Sequence, residues 1–354
     1  MKMIKNFWIN KKVLITGHTG FKGRWLSVLL EYLGANVYGV SIKSPQKKIY
    51  YSLIKKNYYC DVSDKIKLDK IIKKIQPQII FHFAAQSLVL TSYKEILKTY
   101  KTNFMGTINI IEISKKIKSV RTLLITTTDK VYKNSDKKIF FHENSELGGK
   151  DPYSASKAAL EIAIQSFINN KLTNGLRVVS ARAGNVVGGG DFGKDRLMTD
   201  LIKHFLEQKT KEALIIRNPT SVRPWQYVLD VVYSYVLLTE NLYRSKSFVG
   251  AYNFGPNDKL AKVKVKNFIN TFQSFFKNKK KIFYKKTKKI NSKEEKTIFL
   301  KTDKVQKYLN YSYKIYTLQE LLKKSIFVYK EIYKSKFKNL KNIYLDEIKK
   351  FFNE

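Results

Sequence analysis

The sequence predicts an α/β protein built on a doubly wound parallel sheet. Short apolar strands alternate with helix-period segments through the first half of the chain, and a glycine-rich turn joins the first strand to the first helix. The run Q-I-I-F-H-F-A-A at 78–85 is typical of a buried strand. Strands that alternate with helices form parallel sheets. We therefore expect the ligand at the carboxyl ends of the strands.

The alternation can be followed along the chain. The predicted elements are a strand from residue 12, a helix at 21–33, a strand at 36–40, a helix at 64–75, a strand at 78–85, a helix at 94–118, a strand at 120–126, a helix at 154–169 and a strand at 176–181. After residue 182 the pattern loosens, with helical segments near 195–208 and 229–243 and a Lys-rich, mostly helical region over 262–354.

The formal charge of +40 is extreme, and one interpretation of it is binding to nucleic acid. However, only eight of the 68 basic residues are Arg, and Lys is abundant together with Ile, Asn, Tyr and Phe. This composition indicates an A/T-biased coding sequence more than a surface designed to bind phosphates. We expect no nucleic-acid partner, although anionic small molecules would be attracted.

The sequence also indicates the cellular compartment of the protein. The single Cys60 excludes an internal disulfide and fits a reducing compartment. The basic N-terminus is not followed by the apolar segment of a signal peptide, and no stretch approaches the roughly 18 apolar residues of a membrane helix. We therefore expect a cytoplasmic protein without a membrane anchor.

Gly17, Gly20 and Gly23 follow the first strand and open the first helix. Glycines at such spacing allow a tight turn, a close approach of the backbone to a pyrophosphate, and packing of the helix on the sheet. The helix N-terminus adds free N–H groups and a positive dipole end. The alternative is a plain turn, but the strand–turn–helix context favours a dinucleotide site.

The acidic residue that usually ends the second strand and holds the ribose of NAD is absent. Ser41, Ile42 and Lys43 follow Val40 instead. Lys43 could meet the 2′-phosphate of NADP or be an ordinary surface lysine, so these residues leave NAD and NADP both open. Asp61 either accepts a hydrogen bond from the adenine amino group or belongs to a helix N-cap.

Tyr153 and Lys157 lie four residues apart on one predicted helix and share a face. A nearby ammonium lowers the pKa of a tyrosine, which can then take a proton from an alcohol as hydride leaves. Thr128 ends a predicted strand, where its hydroxyl can bind the reacting oxygen. Asp129 and Lys130 follow and suggest proton chemistry beyond simple oxidation, unless they are solvated charges in a turn.

Together these motifs resemble the extended short-chain dehydrogenase/reductase family and, within it, the CDP-glucose 4,6-dehydratases. The resemblance covers about residues 10–256 and is faint beyond. The stretches that carry it are G-H-T-G-F-K-G (17–23), F-A-A-Q (83–86), T-N-F-M-G-T (102–107), T-T-D-K-V-Y (127–132), L-G-G-K-D-P-Y-S-A-S-K (147–157), R-A-G-N-V-V-G-G-G-D (182–191), D-R-L (195–197) and R-P-W-Q (223–226).

The resemblance implies an organisation in two parts. A Rossmann-like domain that binds NAD would cover 1–182, with a return segment at about 225–255. A smaller, mainly C-terminal lobe for a nucleotide sugar would cover 183–224 and 256–354. Members of the family are usually homo-oligomers, so we expect a homodimer or homotetramer and no metal site.

The resemblance also implies a site. Tyr153, Lys157 and Thr128 would oxidise C4 of the sugar, Lys130 would remove the C5 proton, and Asp129 would protonate the departing C6 hydroxyl. Asn185, Arg196 and Arg223 would bind the substrate. The residues expected at the cofactor are Gly17, Thr19, Gly20, Phe21, Gly23, Asp61, Val62, Ala84, Ala85, Gln86, Asn103, Tyr153 and Lys157.

Some positions depart from the family pattern. Ser87 and Leu90 stand where relatives usually have Pro and Arg, Tyr227 replaces a common His, and Thr199 replaces a Pro. The runner-up hypothesis is a 4-epimerase, or a 4,6-dehydratase for another nucleotide hexose. An epimerase needs no acid/base pair for C6, so Asp129 and Lys130 argue against it. A remoter alternative is a non-catalytic dinucleotide-binding or basic interaction protein.

Overall fold

A computed structural model describes residues 6–43, 51–134, 140–207, 214–277, 280–285 and 298–353. Its central sheet has seven parallel strands, which confirms the predicted α/β fold class. The strands of this sheet are β1 (Lys12–Thr16), β2 (Asn36–Ser41), β3 (Asn57–Tyr59), β4 (Ile79–His82), β5 (Thr122–Thr126), β7 (Arg177–Ala183) and β12 (Gly250–Phe254).

The remaining strands form two-stranded pairs outside the central sheet. They are β6 (Phe140–Phe141), β8 (Asn185–Val187), β9 (Leu214–Arg217), β10 (Val222–Arg223), β11 (Trp225–Tyr227), β13 (Val263–Lys264), β14 (Ile282–Lys285) and β15 (Phe299–Leu300). The helices are α1 (Phe21–Tyr32), α2 (Lys65–Ile75), α3 (Val89–Lys94), α4 (Ile96–Tyr100), α5 (Gly106–Ser114), α6 (Pro152–Asn169), α7 (Leu197–Leu206), α8 (Val228–Arg244), α9 (Asp258–Ala261), α10 (Val265–Gln273), α11 (Asp303–Leu309), α12 (Leu318–Lys334) and α13 (Leu340–Asn353).

The strand order places a crevice in the middle of the sheet. The order is β12-β7-β5-β4-β1-β2-β3, so the chain reverses its direction of winding between β1 and β4. In open parallel sheets a ligand binds at such a switch point, outside the carboxyl ends of the strands. The glycine turn follows β1, residues 83–86 follow β4, and residues 127–129 follow β5. All three segments therefore border one crevice.

Each face of the sheet is covered, because side chains alternate along every strand. Val13 and Ile15 belong to the core on the side of α1, α8 and the C-terminal helices. Leu14 points to the opposite core, which α2, α5 and α6 cover. Burial on both faces explains why these strands are apolar throughout rather than alternating with polar residues.

The helix predicted over 94–118 is observed over 96–114, but it is not uniform. The chain forms α4, a π-helical turn at Lys101–Met105, and then α5. The turn presents Asn103, which is fully buried and bonded to the loop after β4. Periodicity indicated helix over this region, but the widened turn depends on this contact between distant segments.

The three glycines of the run Gly188–Gly190 lie where a side chain would clash with neighbouring residues. The backbone passes between helices, and an added Cβ would lie 2.4 Å from Val228, 2.1 Å from Val328, or 1.8 Å from the Tyr344 hydroxyl oxygen. Arg24 and Trp25 of α1 donate hydrogen bonds to carbonyls of this run. The glycines therefore let α1 dock on the C-terminal helices.

No helix among the described residues is long and apolar enough to cross a membrane.

Candidate active site

The glycine turn forms a cradle in which side chains are sterically excluded. Gly17 has φ +73°, and a Cβ there would lie 2.8 Å from the backbone of Phe83 and Ala84. A Cβ on Gly23 would lie 2.3 Å from the carbonyl oxygen of Gly17. Gly20 caps α1 without any side-chain hydrogen bond to its first N–H groups. The turn, the exposed helix N-terminus and its dipole thus fit a dinucleotide pyrophosphate.

Ser41 ends β2, where the usual acidic residue is absent, and its side chain lies against His18. The Ser41 hydroxyl lies 3.1 Å from Nδ1 of His18 and accepts a hydrogen bond from the Thr19 backbone at 3.4 Å. Burial lowers the pKa of His18 to about 4, so its imidazole is uncharged at neutral pH. The Lys43 ammonium lies 5.5 Å from the centre of the Tyr59 ring.

Asp61 lies just beyond β3 and is exposed. One carboxylate oxygen accepts a hydrogen bond from the Ser63 backbone at 2.8 Å, while Asp64 caps α2. The local turn therefore uses one carboxylate oxygen of Asp61, and the contact with adenine stays a prediction. Val62 packs against Gly106 at the start of α5, where a Cβ would lie 2.6 Å from Val62.

The loop after β4 contains Ala84, Ala85 and Gln86 and is fixed by Asn103. The Asn103 amide donates to the Gln86 carbonyl and to the Ser156 hydroxyl, both at 3.0 Å, and accepts from the Gln86 N–H at 2.8 Å. Because both amide protons are used, Asn103 would support a cofactor mainly by holding this loop in place.

Tyr153 and Lys157 both lie in the first two turns of α6, which begins at Pro152. Asp151 caps this helix by accepting from the backbone of Ser154 at 3.0 Å. The Lys157 ammonium donates to the Thr126 carbonyl at 3.0 Å, and burial lowers its pKa to about 8. Burial raises the pKa of Tyr153 to about 12, although a hydrogen bond with Thr128 acts in the opposite direction.

Thr128, Asp129 and Lys130 follow β5 and face α6. The Thr128 hydroxyl caps a short 3-10 turn and donates to Asp129 at 3.0 Å. Burial raises the pKa of Asp129, while Lys130, Thr128 and Arg223 act in the opposite direction. A Cβ on Gly184 would come within 2.9 Å of this carboxylate. The result is a buried carboxyl group, with a pKa raised by burial, next to Lys130 and Arg223.

A buried network of hydrogen bonds around Glu161 holds the elements that form the crevice. Glu161 of α6 accepts hydrogen bonds from Thr127, from Ser180 at 2.8 Å and from Arg182 at 2.7 Å. Arg182 also donates to the Tyr132 hydroxyl at 2.9 Å. The network joins α6 to β5 and β7, so the helix that carries Tyr153 and Lys157 has a fixed position. Arg182 has a structural role here.

The three residues expected at the substrate lie on segments beyond the sheet. Asn185 begins β8 and pairs with Trp225 of β11. Arg196 forms an ion pair with Asp191 and remains 36% exposed. Arg223 is close enough to lower the pKa of Asp129. Arg196 also acts on the pKa values of Tyr153 and Lys22, so both arginines lie near the candidate reacting groups.

Three departures from the family pattern make local hydrogen bonds. Ser87 accepts from Arg196 at 3.4 Å, and Thr199 donates to the Asp191 carbonyl at 2.9 Å. The buried Tyr227 hydroxyl donates to Glu347 of α13 at 3.0 Å. Ser87 and Thr199 thus both contact the Arg196–Asp191 pair.

Lys22 is a site residue that the sequence analysis did not select. It is the second residue of α1, and burial, Lys157 and Arg196 lower its pKa to about 8, while Asp129 raises it. The only signal in the sequence was the Phe-Lys pair after Gly20, which contributed to the family resemblance but was given no role.

Comparison with known proteins gives a consistent result. Residues 13–255 match the model of the NAD dependent epimerase/dehydratase family. The chain is 40% identical over 270 residues to the CDP-glucose 4,6-dehydratase of Salmonella typhimurium, covering 73% of this chain and 74% of that protein. It is 26% identical over 243 residues to a UDP-glucose 4-epimerase of Mycoplasma genitalium, covering 64% of this chain and 71% of that protein.

A solved dTDP-glucose 4,6-dehydratase of Bacillus anthracis, in complex with NAD, superposes with a TM-score of 0.75 at 21% identity and covers 93% of this chain and 100% of that one. This likeness shows the shared fold. The family match and the Salmonella relative confirm the resemblance to CDP-glucose 4,6-dehydratases. The chain therefore belongs to the NAD dependent epimerase/dehydratase family, and its cofactor is NAD.

Proposed function

We propose that the protein converts CDP-D-glucose to CDP-4-keto-6-deoxy-D-glucose and water. The observation that carries this proposal is the Asp129–Lys130 pair beside Tyr153 and Lys157. Burial raises the pKa of the Asp129 carboxyl, which suits a proton donor. A dehydratase needs both an acid and a base in addition to the groups that oxidise an alcohol.

Oxidation begins at the C4 hydroxyl of the sugar. Tyr153 takes the hydroxyl proton, Thr128 binds the same oxygen, and the Lys157 ammonium stabilises the phenolate. NAD held at the glycine turn would supply the acceptor for the C4 hydride and the donor of the hydride at C6, and its nicotinamide charge would favour the phenolate.

Elimination follows because the new 4-ketone acidifies the C5 hydrogen. Lys130 removes the C5 proton as the C6–O bond breaks, and Asp129 gives its proton to the departing oxygen, which leaves as water. Lys130 then returns its proton to C5, and the proton taken up by Tyr153 passes through solvent to Asp129, so that both groups regain their starting states. The net change is loss of one water. Asn185, Arg196 and Arg223 would hold the nucleotide sugar, since Arg offers two parallel hydrogen bonds to a phosphate.

The second candidate function is epimerisation at C4, since curated relatives include UDP-glucose 4-epimerases. In that reaction hydride returns to C4, and no group acts at C5 or C6. Asp129 and Lys130 would then have no chemical task, although burial of the Asp129 carboxyl costs free energy. We therefore favour dehydration.

The test is incubation of the purified protein with NAD and CDP-, dTDP-, UDP- or GDP-hexoses, followed by mass spectrometry. We expect loss of one water from CDP-glucose alone. Loss of water from a different nucleotide hexose would overturn the choice of CDP-glucose. Epimerised sugar of unchanged mass would support the second candidate, and tight RNA binding without any turnover would contradict both.

We further propose a homodimer or homotetramer. The apolar helical face, defined by Tyr93, Ile96, Leu97, Tyr100, Met105 and Ile162, is exposed on neighbouring segments of α3, α4, the π-helical turn and α6. Leu97 is 87% exposed. Such a patch on an otherwise Lys-rich surface is typical of a protein interface.

Two finer assignments complete the proposal. We place the protein in the cytoplasm, where nucleotide sugars and NAD are available. We assign NAD binding to 1–182 with the return at about 225–255, which includes α8 and the edge strand β12. Nucleotide-sugar binding belongs to 183–224 and 256–354.

A further inference from the structure

The Lys22 ammonium occupies the crevice between the glycine turn and the reacting groups. It lies 5.7 Å from the centre of the Phe83 ring and 5.6 Å from that of Tyr235. These two rings meet edge to face and form the floor beneath the ammonium. Phe83 directly follows β4, at the switch point of the sheet.

The charges that face Lys22 are mostly of its own sign. Lys157 and Arg196 both repel it, and Asp129 is the one acidic neighbour that acts on it. Among the described residues, no acidic side chain forms an ion pair or hydrogen bond with the Lys22 ammonium. Arg196 is paired with Asp191, and Glu161 is paired with Arg182.

Asp129 is a single carboxyl group among three basic side chains, those of Lys22, Lys157 and Arg196. Lys22 itself is only partly exposed, and burial lowers its pKa. The crevice of the free protein therefore has more positive than negative charge. Contact with aromatic rings offsets part of the cost of burying an ammonium but adds no negative charge.

We propose that the Lys22 side chain binds a diphosphate group in the crevice. Two diphosphates meet there in the proposed function, that of NAD and that of the nucleotide sugar, and both supply the missing negative charge. The N-terminus of α1 offers backbone N–H groups to a phosphate, and the Lys22 ammonium adds a charged side chain to them. The role of Lys22 rests on the proposed function only where the diphosphate is that of the nucleotide sugar.

The test is isothermal titration of the full-length protein with NAD and, separately, with CDP. Lys22→Met removes the charge and keeps an unbranched side chain, Lys22→Arg keeps the charge, and Lys65→Met is a control at an exposed lysine of α2. We expect Lys22→Met to weaken binding of at least one ligand by roughly tenfold, as for loss of a charged hydrogen bond. Lys22→Arg should retain most of the affinity.

The two titrations identify the source of the diphosphate, since the affinity that falls belongs to the ligand that Lys22 contacts. Unchanged affinity of Lys22→Met for both ligands, with a melting temperature like that of the wild type, would overturn the proposal. If Lys22→Met does not fold, Lys22→Gln takes its place, and unchanged affinity of that variant for both ligands would overturn the proposal. A wild-type protein that binds NAD but not CDP would contradict the proposed substrate, and the NAD titration would then decide the role of Lys22.

Discussion

At the scale of single residues, hydrogen-bond direction fixes the protonation of His82 at the inner end of the crevice. The Thr107 hydroxyl donates to the Asn103 carbonyl, so it accepts from Nε2 of His82 at 2.9 Å. Nδ1 then accepts from Thr16 at 2.7 Å. A neutral histidine thus links β1, β4 and the π-helical turn beneath the cofactor loop.

This arrangement predicts a pH-dependent stability. Burial lowers the pKa of His82 from 6.5 to about 3. At pH values between about 3 and 6.5, His82 binds a proton in the unfolded chain but not in the folded protein. The free energy of unfolding therefore falls as the pH falls below 6.5. His82 should remove about 2 kcal/mol between pH 7 and pH 5. Urea unfolding at both pH values measures the loss, which should be smaller in His82→Gln. An equal loss in the variant would contradict this assignment.

Lys130→Met should separate oxidation from elimination. Without the base for C5, water loss should fall by roughly 10²-fold to 10⁴-fold, while reduction of NAD by CDP-glucose persists and is visible by absorbance. The control is Lys133→Met, since Lys133 is exposed and forms an ion pair with Glu146. Dehydration at the wild-type rate would show that another group removes the C5 proton.

At the scale of elements, periodicity predicted most helices and strands of the first half to within a few residues. Helix α6 begins at Pro152, two residues earlier than expected, because Asp151 is an N-cap and proline suits the first helical position. Within the helix predicted over 94–118, only the tertiary structure reveals the π-helical turn. Asn103 bonds to Gln86 and Ser156, and no local pattern reveals such contacts.

The packing of the glycine run can be tested with a matched pair of variants. Gly190 and Gly175 have similar positive φ values, +85° and +82°, but only Gly190 faces a neighbour, the Tyr344 hydroxyl. Gly175→Ala should cost about 1 kcal/mol through backbone strain. Gly190→Ala should cost a further ~1–3 kcal/mol because the helices must move apart. Equal losses in chemical denaturation would show that α1 and α13 do not restrict this position.

At the scale of the whole molecule, lysines cover the surface and the apolar helical face interrupts them. Leu97→Lys places a charge at its most exposed member and should shift the protein toward monomer, measured by light scattering after size exclusion. Ile66→Lys is the control, because Ile66 is 74% exposed on α2, outside this face. A monomeric wild-type protein, or a Leu97→Lys variant of unchanged mass, would contradict the proposed interface.

The sequence by itself determined the fold class, the candidate dinucleotide turn and the candidate reacting groups. These depend on local patterns: alternating apolar strands and helices, glycines at fixed spacing, and side chains four residues apart on a helix. Only the tertiary structure placed Lys22 beside Lys157 and Arg196, and buried Asp129 next to Gly184. It also explained Ser87 and Thr199 through their contacts with the Arg196–Asp191 pair. Burial and charge at a site arise from residues far apart in the chain, so no local pattern records them.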